Sequence, residues 1–261
     1  MRTALGIEYD GADFIGWQRQ LDGRTVQGCV EQALSSVANE DVSVVCAGRT
    51  DTGVHATGQV IHFESAAVRA PDNWVRGANS NLPGDIRVQW AAEVDADFHA
   101  RFSARRRHYR YVILNSPAAT ALLRNRVCQE RLPLHVERMQ VAARHLLGEH
   151  DFTSFRASAC QAKSPVRMIY RLDVTRAGLC VYIDVVANAF LHHMVRGIAG
   201  VLIAVGRGDQ APGWAAQLLA ARDRAAGGVN APADGLYLVR VVYDGHLQIP
   251  ATGWLPVFDQ A

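Results

Sequence analysis

The stretch from Cys46 to Phe63, CAGRTDTGVHATGQVIHF, sets Arg49, Asp51 and His55 close together among glycine, alanine, threonine and valine. A carboxylate beside a guanidinium, on a connection between two strand-like runs, can attack an electrophilic carbon, remove a proton or pair with a cation. Val42 to Cys46 is apolar enough for a buried strand that breaks at Gly48, and Gln59 to Phe63 reads as a second strand. Glycines 48, 53 and 58 allow positive backbone angles, or close approach of another backbone or a ligand. The plainer alternative is a tight turn with a surface Arg–Asp pair, and the length of the pattern argues against it.

The densest basic and aromatic segment is Phe98 to Tyr111, FHARFSARRRHYRY. Arginine neutralises phosphate and aromatic rings offer faces to unstacked bases, so this pattern suits RNA. Charge runs are otherwise solvated faces, and some of these rings belong to the core. Farther on, Phe190, Met194, Ile198, Val201 and Val205 form one apolar stripe, widened by Leu191, Val195 and Leu202, which predicts a helix over 190–205. Arg196 sits on it, one turn after His192. An unpaired buried guanidinium costs on the order of several kcal/mol, so Arg196 needs a carboxylate. Asp51 is the candidate partner, against a structural pair with another Asp or Glu.

Two histidine patterns raise a metal site, His192-His193 and His62-Phe63-Glu64. Adjacent helical residues point about 100° apart and rarely chelate together. The His-x-Glu of zinc deaminases also needs a downstream P-C-x-x-C, which this chain lacks. No metal is expected.

GRTDTGVHATGQV resembles the signature of the tRNA pseudouridine synthase A family, and the likeness extends through ALGIEYDG, GWQRQ, NLPGDI, F-H-A-R-F, Y-R-Y, DFTSFR, N-A-F-x-H-H-M-V-R and GLYLV to nearly the whole chain. The resemblance implies that Asp51 is the essential catalytic residue, nucleophile or base, with Arg196 as its ion-pair partner. It implies that Tyr109 and Leu236 lie against the target base, and that Arg49, Arg69 and Arg101 handle the RNA. By the same likeness Phe98, His99, Ala100, Arg101 and Phe102 contact tRNA, and the tail Ala159, Cys160, Gln161, Ala162 and Lys163 reaches it. The substrate would be uridine 38, 39 or 40 of the tRNA anticodon stem-loop, and the enzyme a homodimer binding tRNA across both subunits. Isomerising uridine calls for no cofactor. His108 stands where the pattern leads one to expect another arginine, and Thr52 fills a variable position.

The totals agree with such a protein without pointing to it. The 261 residues can bury a sizeable core, 49% are hydrophobic, 20% are charged, and the net charge of +2 does not mark a nucleic-acid binder. Five cysteines without a CxxC fit reduced thiols better than a disulfide framework. The N-terminus lacks the apolar core of a signal peptide, and the longest apolar stretch, 197–205, is too short to span a bilayer. A cytoplasmic protein without a membrane segment is expected.

Periodicity supplies the elements that must position these groups. The first half reads as strand (Thr3 to Tyr9), helix capped by Thr25, two strands around the RTD loop, helix opened by Pro71, and strand (Ile86 to Val94). The second half repeats the order, with strand 109–114, a helix within 133–147, a hairpin turned at Ala177-Gly178, helix 190–205 and a last strand, 236–243; a further helix falls between Ala211 and Pro232. Two β-α-β-β-α-β blocks predict an α+β fold of two related halves, 1–104 and 105–261, with mainly antiparallel sheets joined around a central cleft.

Two other classes compete. Asp51-Thr52-Gly53 spells the D-T-G of aspartic proteases, but Arg49 and Thr50 precede it where an apolar pair belongs, and a second copy is absent. A non-catalytic sheet-platform RNA-binding module would show an RNP1-like stretch, also absent.

Overall fold

Helix ends follow the local signals. In the computed structural model, which describes residues 1–158, 160–250 and 253–258, the Thr25 hydroxyl accepts from the Gly28 N–H (3.2 Å) at the start of α1 (Val26–Ala38). Pro71, whose fixed φ suits a first helical turn, opens α2 (Pro71–Asn81). In chain order the strands and remaining helices are β1 (Arg2–Tyr9), β2 (Val44–Cys46), β3 (His55–Glu64), β4 (Ile86–Val94), β5 (Arg106–Asn115), β6 (Cys128–Glu130), α3 (Val136–Arg144), β7 (Gly148–Asp151), β8 (Val166–Ala177), β9 (Cys180–Ala187), α4 (Met194–Arg207), α5 (Trp214–Ala221) and β10 (Leu236–Val242). The fold is α+β with mainly antiparallel pairing, as the sequence leads one to expect. Among the described residues no helix is long and apolar enough to cross a membrane.

The chain forms two compact units, Met1–Arg107 with Tyr237–Leu255, and His108–Leu236 with the stretch after Leu255. In the first unit the strand order is β4-β1-β3-β10, with β2 also on β3. β1 runs antiparallel to both β3 and β4, from Arg2↔Glu64 to Tyr9↔Ala56 and from Arg2↔Val94 to Tyr9↔Ile86. β3 is buried along nearly its full length, as a central strand covered on both faces must be. Leu5, Ile7, Leu34, Ile61 and Phe63 fill the core, and Trp74 of α2 meets Phe63 edge-on at 4.9 Å between ring centroids.

The last strand departs from expectation. It was expected to close the second half; instead β10 lies parallel to β3, Tyr237↔His55 and Leu238↔Ala56, and from Tyr237 onward belongs to the first unit. Gly58 makes this approach possible, since a Cβ there would lie 2.1 Å from the Val239 carbonyl oxygen.

The second unit has the order β5-β9-β8-β7, with β6 parallel to β5. β8 and β9 form the expected hairpin, closed at Ala177↔Cys180, with Gly178 at φ +51 in its turn. The short strands β6 and β7 carry no sequence pattern long enough to predict them. Helix α4 starts at Met194 rather than Phe190, because His193 takes a left-handed conformation (φ 64) that ends any helical path from the N-terminal side. Arg196 therefore lies in the first turn and is half-buried, so the burial cost assumed for a mid-helix guanidinium does not apply in full.

A buried ion cluster joins two strands of this unit. Asp184 of β9 accepts Arg110 Nε (3.0 Å) and Nη2 (2.7 Å), and its Oδ1 lies 2.9 Å from His108 Nε2. Burial pushes the Asp184 carboxyl up, but the bonds and charges of His108 and Arg110 together hold it below the usual aspartate value. Arg110 also stacks over the Tyr182 ring at 4.7 Å. His108, which stands where the pattern leads one to expect an arginine, thus bonds the carboxylate that Arg110 also holds. Asp184→Ala would leave the buried Arg110 guanidinium without its carboxylate and should cost about 3–5 kcal/mol, read as a lower urea midpoint. Because the folded-state pKa is depressed, the stabilisation is present above the ordinary aspartate value of 3.8 and is lost as the pH falls through the lower folded value.

Candidate active site

Asp51 stands in the connection between β2 and β3, and the backbone on either side of it is fixed. Trp17 N–H donates to the Thr50 carbonyl (3.0 Å), Gly53 N–H to the Phe14 carbonyl (3.4 Å), and Val54 N–H to the Asp51 carbonyl (3.1 Å). Gly53 has φ +76, which a residue with a Cβ rarely adopts, and this tight turn brings the chain into β3. The Tyr9 and Thr50 hydroxyls are 2.8 Å apart in the interior. The carboxylate side chain itself is half-exposed, and Arg49 and Thr52 beside it are exposed.

His55 belongs to β3 rather than to the loop, and it is buried. Its Nδ1 accepts from Gly11 N–H (3.0 Å) and lies 3.1 Å from Asp10 Oδ1, and its ring stacks on Tyr237 at 4.7 Å. It holds the Asp10–Gly11 turn and β10 to the strand that leaves the Asp51 loop.

Arginine gathers near that loop from a second direction. Burial pushes the Cys46 thiol up to about 12, while Arg49 and Arg101 both pull it the other way, so both guanidinium charges act on one sulfur. Arg101 belongs to a turn that closes on itself, in which His99 Nδ1 accepts from the N–H groups of Arg101 and Phe102 (3.2 Å each). Phe102 is 74% exposed, with the His99 ring 4.3 Å away and the Arg101 guanidinium 5.5 Å from its centroid. An exposed ring under a cation suits a nucleobase or ribose face. Other aromatics of this segment belong to the core, as expected for some of its rings. Phe98 is 1% exposed, packed between His62 (5.9 Å) and Tyr243 (5.2 Å), and Ala100 is fully buried with it in the first unit, while Tyr111 is fully buried in the second. Arg69 lies outside this cluster, exposed before α2, with Nη1 on the Val68 carbonyl (3.1 Å).

The second unit assembles its own candidates around residues 231–236. Arg196 Nε donates to the Ala231 carbonyl (2.9 Å) and Ala231 N–H returns a bond to the Arg196 carbonyl (3.0 Å). Tyr111 donates its hydroxyl to the Pro232 carbonyl (2.8 Å), and Val112 N–H bonds the Gly235 carbonyl (2.8 Å). One short segment therefore ties the start of α4 to β5, on which Tyr109 stands, and ends at buried Leu236. Tyr109 meets Phe190 edge-on at 5.1 Å. The 157–163 loop joins through Ala157 N–H on the His192 carbonyl (2.9 Å), and Arg156 Nη2 braces it at the carbonyls of Cys160 (2.6 Å) and Ala162 (3.0 Å). Burial raises the Cys160 thiol, but backbone bonds at Ala162 and His192 and the charge of Arg156 bring it below the ordinary value. Gln161 and Lys163 are exposed; Ala159 lies outside the described residues.

These two constellations carry a carboxylate on a loop whose backbone is bonded on both sides, an exposed arginine beside it, and, in the second unit, an aromatic and an aliphatic side chain on strands that one short segment ties to the helix of Arg196. A family model described as tRNA pseudouridine synthase matches residues 6–103 and 142–244. Proteins named tRNA pseudouridine synthase A are similar over nearly the full chain. That of Nitrosococcus oceani is 58% identical, over 96% of this chain and 96% of its own. That of Shewanella woodyi is 53% identical, over 99% of each, and that of Klebsiella pneumoniae 54% identical, over 98% of this chain and 95% of its own. The chain belongs to the tRNA pseudouridine synthase A family. It is accordingly an isomerase of tRNA modification.

His62 is a residue whose part the sequence did not reveal. Raised above only as a metal candidate, it uses Nδ1 to accept from Ala100 N–H (3.1 Å) and so anchors the 98–102 turn. Burial, then the charges of His99 and Arg2, pull it from the ordinary 6.5 to about 4, which keeps the accepting nitrogen unprotonated. Because the folded value is the lower one, the unfolded chain takes up the proton first. Stability from neutral His62 is present above about 6.5 and is lost as the pH falls toward about 4. Urea midpoints followed from pH 7 to pH 4 should therefore fall less steeply for His62→Gln than for the wild type; parallel curves would contradict this assignment.

Proposed function

We propose that this chain isomerises uridine to pseudouridine at positions 38, 39 and/or 40 of the tRNA anticodon stem-loop, with Asp51 as the catalytic carboxylate. The observation that carries the reading is the setting of Asp51, half-exposed on a loop whose backbone is bonded on both sides and flanked by exposed Arg49. A carboxylate facing RNA meets phosphate repulsion, and such placement is expected where the group has chemistry to perform. Family membership and the match of the RTD motif support the same residue.

The reaction breaks the N1–C1′ bond, turns the uracil and joins C5 to C1′, with the C5 proton leaving to solvent. Extracting the nucleotide from the stacked stem costs about a few kcal/mol. Arg49, Arg69 and Arg101 offset that cost by holding phosphates and displaced strand, and Phe102 adds a stacking face. Tyr109 and Leu236 flank the uracil, and the Tyr109 hydroxyl serves in proton transfer. By the same resemblance Arg196 is the ion-pair partner of the Asp51 carboxylate. The carboxylate then either attacks C1′, giving an acylal, or removes the C2′ proton, giving a glycal. His99 and the 159–163 tail extend the RNA contact. The enzyme acts as a homodimer, a part of the proposal that rests on resemblance alone, and in the cytoplasm, a reading that five cysteines without a CxxC support.

Tritium release from C5-labelled uridine in unmodified tRNA tests the proposal. Asp51→Asn should lower it roughly 10²- to 10⁴-fold while tRNA binding persists, whereas a binding module would release none with either protein. Deuterium at C2′ separates the routes: a primary isotope effect belongs to the glycal path, and its absence to attack at C1′.

A further inference from the structure

Arg107 ends the basic run of the first unit, yet it is only 9% exposed. Its guanidinium donates to carbonyls of two separate loops. Nη2 bonds the Ala47 carbonyl (3.0 Å) and the Arg101 carbonyl (2.7 Å), and Nη1 reaches the Ala104 carbonyl (3.4 Å). Ala47 opens the loop that carries Arg49 and Asp51, and Arg101 and Ala104 belong to the turn that presents Phe102. Nearby, the Tyr243 hydroxyl donates to the Ala100 carbonyl (2.7 Å), so the same turn is held at a further carbonyl.

A buried charge is costly, and an apolar side chain would fill this space without that penalty. What a guanidinium adds is a planar fork of N–H donors fixed in direction, able to bond several carbonyls at once where an ammonium on a flexible stem is a point donor. Both loops meet at this one group, and the two exposed arginines, 49 and 101, ride on them.

We propose that Arg107 is a positioning residue that clamps the Asp51 loop to the 99–104 turn, so that Arg49 and Arg101 engage RNA as one preformed surface instead of two independent contacts. The inference rests on the function proposed above, since it takes these loops to be the ones that receive tRNA.

The test uses the full-length protein with Arg107→Lys and Arg107→Met. Amide hydrogen exchange in the wild type and in Arg107→Lys should show 47–54 and 99–105 speeding up together, by about tenfold, with α2 unchanged. Turnover should fall about 10- to 100-fold, with Arg107→Lys retaining more than Arg107→Met. The decisive reading is coupling in tRNA binding. With Arg107 present, the double variant Arg49→Ala/Arg101→Ala should depart from the product of the single effects by roughly fivefold or more. In the Arg107→Lys background the departure should shrink to within about twofold. Unchanged exchange with coupling intact would overturn the clamp, as would equal loosening of α2, which would mark a general stabilising role. Turnover surviving in Asp51→Asn would instead bring down the proposed function, and the exchange comparison would still decide the clamp on its own.

Discussion

The hydrogen bonds from Trp17 N–H to the Thr50 carbonyl and from Gly53 N–H to the Phe14 carbonyl sit on either side of Asp51, and most of the first unit can be understood from them. A carboxylate that must approach a polyanion is pushed away by every phosphate it meets. On a mobile loop it would rotate into solvent, and the energy of binding would be spent ordering it. Bonding the main chain on both sides removes that freedom before RNA arrives. The 14–17 stretch provides one half of the grip, and β3 with its His55 anchor provides the other. The buried contact between Tyr9 and Thr50 ties the loop to the end of β1, so the core strand and the candidate catalytic group share a frame.

The second unit solves a related problem with a different device. Its candidate residues come from β5, from the first turn of α4 and from the start of β10, which are far apart in sequence. The residues from Ala231 to Gly235 connect them through backbone carbonyls and one backbone N–H. Below them, the His108–Asp184–Arg110 cluster locks one face of β5 against β9. His108 and Arg110 lie on one face of the strand and Tyr109, by the alternation of a strand, on the other. Rigidity on the charged face thus sets the direction in which Tyr109 points.

Much of this was legible in the chain because the signals are local. Thr25 and Pro71 mark helix starts by chemistry that acts within one turn, the RTD loop is bounded by apolar runs, and the 177–178 turn sits between two strands. The parallel seating of β10 on β3 was not legible, since it depends on a partner about 180 residues away and on the space left by Gly58. The early start expected for α4 failed for a related reason: the apolar stripe continues through Phe190, while the break at His193 is a backbone event that apolar periodicity does not register. Phe98 and Tyr111 look the same in sequence as the exposed Phe102, because one composition serves both a core and a base-stacking surface. His62 and Arg107 act on backbone groups, and a bond to a carbonyl or an amide leaves no complementary side chain in the sequence to betray it.

The path of the chain through its two units bears on how the protein is made. The first unit is left at Arg107 and regained only at Tyr237, so its sheet lacks β10 until the intervening His108–Leu236 stretch of the second unit has emerged from the ribosome. At about 5–20 residues per second, that is a wait of roughly ten seconds in which β3 presents an open edge where β10 will pair. The nascent protein must keep that edge from other chains, and the segment that finally covers it begins with Leu236, so the sheet is sealed only once a residue proposed to touch the substrate is in place.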